Sequence, residues 1–489
     1  MAKKMNRRRP GRTLLLAAAT ALVLPMPAMA ETLQGALSKA YENNPSLTAA
    51  RAGQRAIDEN VPISQADGLP SASLASEYDE FLKQRGPVGT DRRLFANTRI
   101  SVPLYRGGTV RNSVRAAKER VEAGQADLRS FEANIFSQVV AAYMNVIRDQ
   151  AIVALNRSNV GRLATNLEAA RDRFEIGDLT RTDVAQSEAR LALAQSQMRS
   201  VEANLIRSRE DYIRLVGDAP ADLESPPLLP GLPASDEDAV AVALNNNPDL
   251  EAAGRDVAAS RFDISAAKGS RMPQLSATAD GTYNDYLGTV PGGVIANSST
   301  SATAGLSLTI PLFQGGRPAA RIRQAQARSS QAIELMVATE RSVISQTRAS
   351  YASWTASQQV IAATKQAVAA NALSLEGVRA ENSVGTRSIL DILNAEQELL
   401  DTQVRLVSAE RDAYVAAFTL LAAMGKAEAR DLGLEGGTLY DPATNYERVR
   451  NQVWDWSDDP VPQQQATSTR GVPAADAVAP DMASPVTGQ

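Results

Sequence analysis

The sequence predicts an α+β membrane protein: three chains, each contributing four strands, close a twelve-stranded β-barrel that continues into a long α-helical coiled-coil barrel. Three observations lead to this fold class. The chain contains an internal twofold repeat, each copy carries a pair of strands that alternate apolar and polar residues, and each pair is followed by more than one hundred residues without proline. Alternation with period two gives a strand one dry face, and a segment without proline can form one uninterrupted helix.

The composition excludes several functional classes. Among the 489 residues there is no cysteine and no histidine, so we expect no disulfide, no Ser–His or Cys–His pair and no zinc site built from those residues. The net charge of −4 does not favour nucleic acid as a partner. The sequence shows no phosphate-binding loop and no G-x-S-x-G motif. It therefore predicts a protein that is not an enzyme and that has no cofactor and no metal site.

Residues 1–30 have the features of a secretory signal peptide. A basic stretch precedes the apolar run 14–24, and Ala28-Met29-Ala30 is a small-x-small cleavage site. The mature chain is expected to begin at Glu31, and the loss of six basic residues changes its net charge from −4 to −10. An uncleaved anchor is the alternative, but the run is shorter than the roughly 20 residues that a membrane-spanning helix needs.

The internal repeat is carried by short motifs in the same order. Asn-Asn-Pro at 43–45 recurs at 246–248, and Val-Pro-Leu-Tyr-Arg-Gly-Gly at 102–108 recurs as Ile-Pro-Leu-Phe-Gln-Gly-Gly at 310–316. The expected domains are a first repeat at 31–217, a proline-rich linker at 218–235, a second repeat at 236–430 and a flexible C-terminal tail at 431–489.

Each repeat is expected to contain the same elements. The first repeat is expected to contain a helix from 33 to about 67, a strand pair at 71–104, a long helix at 107–175 and a return helix at 180–217. The second is expected to contain a helix from 236 to about 268, a strand pair at 274–312, a long helix at 315–383 and a return helix at 388–425. Apolar residues recur every seven positions along the helices, for example at Val139, Val146 and Val153. A strict heptad repeat predicts a left-handed coiled coil.

The strands predict an assembly of several chains. The second copy alternates most clearly, with Ala304, Leu306 and Leu308 on one side and serine and threonine on the other. An open four-stranded sheet would leave unpaired backbone groups in lipid, at a cost of several kcal/mol each. Three chains supply twelve strands, which close a barrel with a lumen. Aromatic residues near the strand ends suit the two membrane interfaces: Tyr78, Phe81, Tyr105, Tyr283, Tyr286 and Phe313.

Taken together, the repeat, the Asn-Asn-Pro motifs, the two glycine-pair joints and Val-Gly-Thr-Arg at 384–387 followed by Asp391 resemble the TolC-type outer-membrane efflux proteins. The resemblance covers about residues 31–430. It implies a homotrimer in outer-membrane lipid with a large periplasmic portion. It also implies an exit duct for a tripartite efflux or type I secretion system, with a periplasmic adaptor (membrane fusion) protein and an inner-membrane transporter of RND, ABC or MFS type as partners.

The resemblance also implies roles for residues at the two helix–helix turns. Asp391 would form the pore constriction as an acidic ring, and Asn394 stands where the family's typical channel has a second aspartate. Thr182, Asp183 and Arg387 match the network that holds the closed gate. The turn tips would contact the adaptor: Gly177, Leu179, Gly385 and Thr386.

A structural interpretation of the same residues competes with these roles. Thr180 with Asp183, and Ser388 with Asp391, have the spacing of capping boxes. Arg387 is also explained as a solvated surface charge, and Gly177 as a turn residue that permits positive φ. For the whole protein, the alternative function is a secreted or surface coiled-coil protein for interaction or adhesion, which would lack strands with a dry face.

Overall fold

The computed structural model describes residues 31–83, 92–287, 297–434 and 439–478. The predicted signal peptide lies outside the described residues, as do the strand-connecting segments 84–91 and 288–296. Within the described part of the chain, no helix combines the length and the apolar character needed to cross a membrane.

The two repeats contain matching elements. The first comprises α1 (Leu33–Asn43), α2 (Pro45–Asp58), α3 (Asn60–Ala66), β1 (Ser71–Glu80), β2 (Arg92–Arg106), α4 (Thr109–Glu175) and α5 (Arg181–Val216). The second comprises α6 (Asp236–Asn246), α7 (Pro248–Gly269), β3 (Gln274–Tyr286), β4 (Ser298–Thr309), α8 (Arg317–Ser383) and α9 (Ile389–Ala423). The long helices α4 and α8 each have 67 residues, about 100 Å at 1.5 Å per residue.

The Asn-Asn-Pro motif explains why the first helix of each repeat is divided. Asn44 Oδ1 accepts from the backbone N–H of Ser46 and Leu47, so it caps α2, and Pro45 occupies the first helical position, where no N–H is needed. Its Nδ2 donates 2.9 Å to the carbonyl of Leu215 at the end of α5. Asn247 repeats this arrangement on α7 and α9. Each motif therefore starts one helix and satisfies a carbonyl at the end of another.

The paired glycines turn the chain from a strand into a long helix. Gly107 and Gly108 have φ values of 63° and 79°, and Gly315 and Gly316 have 60° and 78°. Two successive left-handed residues are sterically costly for any other amino acid. At Gly107 a Cβ would also clash with the carbonyl oxygen of Gly269. Glycine is therefore required at this position both for its positive φ and for lack of space.

The four strands form one antiparallel sheet in the order β1-β2-β3-β4. The register places apolar residues of all four strands on one face: Leu74 beside Thr98, Ile100 beside Ala279, Ala277 beside Leu306 and Leu275 beside Leu308. Pro103 has no N–H for the ladder, and the register of β2 shifts between Pro103 and Tyr105. This common apolar face agrees with a membrane strand set and is not expected of a secreted coiled-coil protein.

The opposite face of the sheet is polar and holds two ion pairs. Arg93 Nη2 lies 2.5 Å from Asp79 Oδ2, and Arg99 Nε lies 2.6 Å from Asp280 Oδ1. Ser301 and Thr282 are hydrogen-bonded across β3 and β4. The sheet therefore has one apolar face and one polar face, because successive side chains of a strand point to opposite sides.

The helical core follows the heptads in part. Val139, Val146 and Val153 are fully buried, whereas Phe174, in the same seven-residue series, is 44% exposed. The main core cluster lies where α4 meets α1, α5 and α9, with Tyr143 and Tyr212 at its centre. Towards the turns both Leu163 and Leu167 of α4 remain buried.

Several apolar surfaces are exposed in the described part of one chain. On α8, Leu335, Val360 and Leu373 are 58%, 50% and 71% exposed. Every residue of β4 is exposed, and β1 and β4 are the two edges of the sheet.

The C-terminal segment, which the sequence predicts to be flexible, makes defined contacts with the first repeat. Helix α10 (Pro442–Val449) lies against α2, and its Asn445 Nδ2 donates 2.7 Å to Asp58 Oδ2. Further along, Arg209 of α5 forms an ion pair with Asp476. These contacts do not measure motion, so the flexibility of the C-terminal segment stays a prediction.

Candidate functional site

The candidate site lies at the two turns that join the long helices to the return helices. Gly177 and Gly385 have φ values of 83° and 81°, as the sequence predicts for turn residues, and a Cβ at either would meet nothing within 4 Å. Thr386 Oγ1 donates 2.9 Å to the carbonyl of Glu381 and closes the second turn. Both tips are thus exposed surfaces with a defined backbone, and Leu179 lies half-buried beside the first.

Asp183 caps α5. Its Oδ2 accepts from the backbone N–H and the hydroxyl of Thr180, at 2.9 Å and 2.7 Å, and its own N–H donates to Thr180 Oγ1. The hydrogen bonds from Thr180 lower the pKa of the Asp183 carboxyl. The capping-box prediction is confirmed here. Thr182 is exposed on the first turn of α5.

Asp391 caps α9 in the same way. Its Oδ2 accepts from the N–H and hydroxyl of Ser388 at 2.9 Å and 2.7 Å, which confirms the second capping box. The hydrogen bonds from Ser388 hold the pKa of Asp391 below its usual value, and Arg387 adds a smaller effect in the same direction. The carboxylate is therefore ionised at neutral pH.

Arg387 forms its ion pair inside its own turn. Its Nε lies 2.8 Å from Glu381 Oε2, and Asn382 Nδ2 donates 2.7 Å to the Arg387 carbonyl. Within the described residues of one chain, no hydrogen bond or ion pair joins Arg387 to Asp183 or Thr182. The single chain thus brings Arg387 close to Asp391, and the gate network stays a prediction.

Asn394 connects the two return helices. Its Oδ1 accepts a 2.6 Å hydrogen bond from Arg190 Nη2 of α5. This contact lies beside a cleft of about 700 Å³ between α4, α5 and α9, lined by residues that include Arg190, Asn159 and Glu396. The sequence analysis identified Asn394 but did not identify Arg190, because nothing in the local sequence of α5 marks that arginine.

Glu396 is a buried carboxylate that the sequence analysis also missed. Its side chain is 1% exposed, its Oε1 lies 2.5 Å from Arg379 Nη2 of α8, and its Oε2 accepts 3.1 Å from Asn166 Nδ2 of α4. It therefore ties three long helices together near the turns. The available signal was its position between Leu393 and Leu400, at spacings of three and four residues on the apolar face of α9.

The chain resembles known proteins in sequence and in fold. A family model described as outer membrane efflux protein matches residues 36–218 and again 239–426. The chain is 35% identical over 428 residues to the outer membrane efflux protein BepC of Brucella suis biovar 1 (strain 1330), covering 87% of this chain and 92% of BepC.

Two further similarities extend this result. The chain is 27% identical over 412 residues to the outer membrane protein TolC of Vibrio cholerae serotype O1, covering 82% of this chain and 92% of that protein. The crystal structure of the outer membrane protein VceC from Vibrio cholerae matches with a TM-score of 0.68 at 21% identity, covering 80% of this chain and 96% of that one. This structural likeness shows a common fold.

Proposed function

The chain belongs to the outer membrane efflux protein family, and from this premise we propose that it is the outer-membrane exit duct of a tripartite efflux or type I secretion assembly. It conducts substrates passively, and the energy comes from a partner. The observation that carries the proposal is the four-stranded sheet with one apolar face, joined through glycine pairs to helices of 67 residues. Family and fold are those of channels rather than of enzymes.

The open edges of the sheet support a homotrimer. β1 and β4 have one unpaired side each, and three copies joined edge to edge form a closed barrel of twelve strands. Closure pairs every backbone group, which lipid demands. The apolar face with Leu74 and Leu306, which are 73% and 70% exposed in one chain, then faces lipid, and the face with the Arg99–Asp280 pair faces the lumen.

The exposed apolar residues of the helices support the same assembly. Leu335, Val360 and Leu373 of α8 and Leu193 of α5 are exposed in a single chain. Since α4 and α9 are already in contact within the chain, α5 of one protomer and α8 of the next are the free neighbours. Their packing continues the barrel wall as a ring of coiled coils.

The turns support an entrance at the periplasmic end. In this proposal Asp391 and Asn394 line the pore constriction, and Thr182, Asp183 and Arg387 hold the closed gate between neighbouring chains. The exposed tips at Gly177, Leu179, Gly385 and Thr386 bind a periplasmic adaptor protein, which links the duct to an inner-membrane transporter of RND, ABC or MFS type.

The channel proposal is tested by purification in detergent and reconstitution in planar bilayers. We expect a trimer that dissociates on heating before electrophoresis and that conducts ions. A monomer that stays in the soluble fraction and conducts nothing would contradict the proposal.

The adaptor contact is tested by single-cysteine cross-linking, because the chain has no cysteine of its own. Leu179→Cys and Thr386→Cys carrying a photoreactive label should form an adduct with an adaptor-type periplasmic protein in native envelopes, identified by mass spectrometry. Leu82→Cys, at the far end of the sheet and 94% exposed, is the control. Equal labelling from all three positions would exclude a specific contact at the tips.

A further inference from the structure

The hydrogen bond between Arg190 and Asn394 brings a positive charge to the predicted constriction. Arg190 Nη2 lies 2.6 Å from Asn394 Oδ1, across α5 and α9. Asn394 has an amide, which satisfies a donor of the guanidinium and leaves its charge uncompensated. In the described part of the chain, no carboxylate oxygen lies within 4.0 Å of the Arg190 guanidinium nitrogens.

This charge is held about one helical turn from Asp391. Asn394 follows Asp391 by three residues, so the two share a face of α9 and are separated by about 4.5 Å along the helix axis. The Arg190 guanidinium is held on Asn394, and the Asp391 carboxylate is held on Ser388. At the proposed constriction, each chain would thus contribute one negative and one positive group.

The other charged groups near this level are paired or more distant. Arg387 is compensated by Glu381, and Glu396 by Arg379. Asp401 lies seven residues beyond Asn394 on α9, and Asp183 lies seven residues before Arg190 on α5. Each separation is about 10 Å along its helix, which is close to the screening length in 0.1 M salt. Asp391 and Arg190 therefore dominate the local field.

We infer that Arg190 is a selectivity-determining residue of the pore: it compensates the Asp391 ring, so that the constriction is nearly neutral and admits anionic as well as cationic solutes. This inference rests on the proposed channel function and deepens it. The family resemblance implies an acidic ring of three carboxylates, and the Arg190–Asn394 contact would add one guanidinium group per chain to it.

The test measures zero-current potentials of the reconstituted full-length channel under a KCl gradient. We expect a wild-type channel with little preference between K⁺ and Cl⁻. Arg190→Ala should raise the cation-to-anion permeability ratio by roughly fivefold, because a unit charge at about 4 Å in water changes the local ion concentration by about that factor. Arg190→Lys, which keeps the charge, should behave as the wild type.

Two further variants keep the test decisive. Arg207→Ala is the matched control, since Arg207 is also on α5 and also bonds an asparagine, Asn204 at 3.2 Å, but lies 17 residues away, about 25 Å along the helix. Its selectivity should not change. Asn394→Asp adds a carboxylate against Arg190 without truncating it, and should raise the cation preference as Arg190→Ala does.

The outcomes separate the inference from the proposed function. A conducting wild-type channel with strong cation selectivity, or an Arg190→Ala channel with an unchanged ratio, would overturn the inference and leave the channel function standing. A shift of the same size in Arg207→Ala would also overturn it. A wild-type protein that conducts no ions would overturn the proposed function, and the inference with it.

Discussion

Capping and gating coincide at single residues of the two turns. Asp183 and Asp391 make the same set of hydrogen bonds to the N-cap residue of their helices. Capping alone therefore cannot distinguish them. They differ in their neighbours, because Asp391 has Arg387 nearby, and Arg190 of α5 bonds Asn394 one turn further along α9. The charged groups around each aspartate therefore decide whether its carboxylate also influences ions in the pore, in addition to capping a helix.

The first prediction at the residue scale concerns Asp391. Asp391→Ala should shift the channel towards anion preference and lower its block by divalent cations, since it removes a carboxylate and leaves Arg190. Planar-bilayer recordings check this, and Asp238→Ala, which removes the partner of the Ser235 cap of α6, is the control for the loss of a cap alone. Selectivity that does not change in Asp391→Ala would return this residue to a purely structural role.

The pH dependence of this effect follows from the lowered pKa. Because the folded-state pKa of Asp391 lies below its unfolded value of about 3.9, its contribution is fully present above that value and is lost as the pH falls through the folded-state pKa. Wild-type selectivity should thus stay constant from pH 8 to about pH 5.

A second prediction at this scale concerns the buried Glu396. Glu396→Gln keeps the volume and removes the charge, so the ion pair to Arg379 is lost, and with it about 1–3 kcal/mol of stability. The Arg379 side chain is 48% exposed, so water solvates its charge in the variant, and this limits the loss of stability. Denaturant unfolding of the detergent trimer measures it. Glu398→Gln, an exposed residue on the same helix, should have no effect, and equal losses for both variants would contradict the assigned role.

At the scale of elements, helix termini hold the repeats together. Asn44 and Asn247 each cap one helix and bond the end of another, and the tail helix α10 covers the buried Asp58. Arg51 lies 4.2 Å from the ring centroid of Tyr41 and 5.0 Å from that of Tyr440, where the tail leaves the core. The contact between Asn445 of the tail and Asp58 includes a titratable carboxyl group, so its strength depends on pH.

The prediction for the tail is a pH-dependent docking. Burial raises the pKa of Asp58, against the opposing effect of hydrogen bonds from Asn445 and Gln54. A raised carboxyl pKa means that the docked state binds the proton more tightly, so docking strengthens as the pH falls through that pKa towards the unfolded value of about 3.9. Proteolysis beyond residue 440 should be slower at about pH 4, close to that unfolded value, than at pH 7.5.

Two variants test the cause of this pH dependence. Asp58→Asn removes the titrating group and should abolish it. Asn445→Ala leaves the buried carboxylate with one donor fewer and should loosen the tail by about 1–3 kcal/mol. A tail that is cleaved at the same rate at both pH values in the wild type would show that Asp58 does not control docking.

At the scale of the whole molecule, the single chain is incomplete. The edges of its sheet are unpaired, and large apolar side chains of β4 and α8 are exposed. A closed trimer removes both features at once. In the proposed trimer the function belongs to the assembly, since the described part of one chain does not enclose a lumen.

The prediction at this scale uses the two faces of β4. Leu306→Arg places a charge on the lipid-facing side and should cost roughly 1–4 kcal/mol per protomer, which reduces the heat-dissociable trimer in membrane fractions. Ser307→Arg, the next residue on the opposite face, should assemble normally. Equal loss of trimer in both variants would mean that the sheet does not separate lipid from water as proposed.

The sequence by itself determined the features that depend on local interactions. The twofold order of elements, the capping boxes at Thr180 and Ser388, and the positive φ at Gly177 and Gly385 were all predicted, because each depends on residues a few positions apart. The helix break at Asn44 was missed, although its motif was recognised, because the role of the asparagine becomes visible only with Leu215 in place.

Only the tertiary structure decided which distant side chains meet. Arg190 and Asn394 are 204 residues apart, and Asn166 and Glu396 are 230 residues apart. Such contacts depend on the rotation and stagger of long helices against each other, and a heptad pattern specifies the apolar seam without specifying those two quantities closely enough. The contact between Arg190 and Asn394 is a property of that packing and could not be obtained from the order of residues alone.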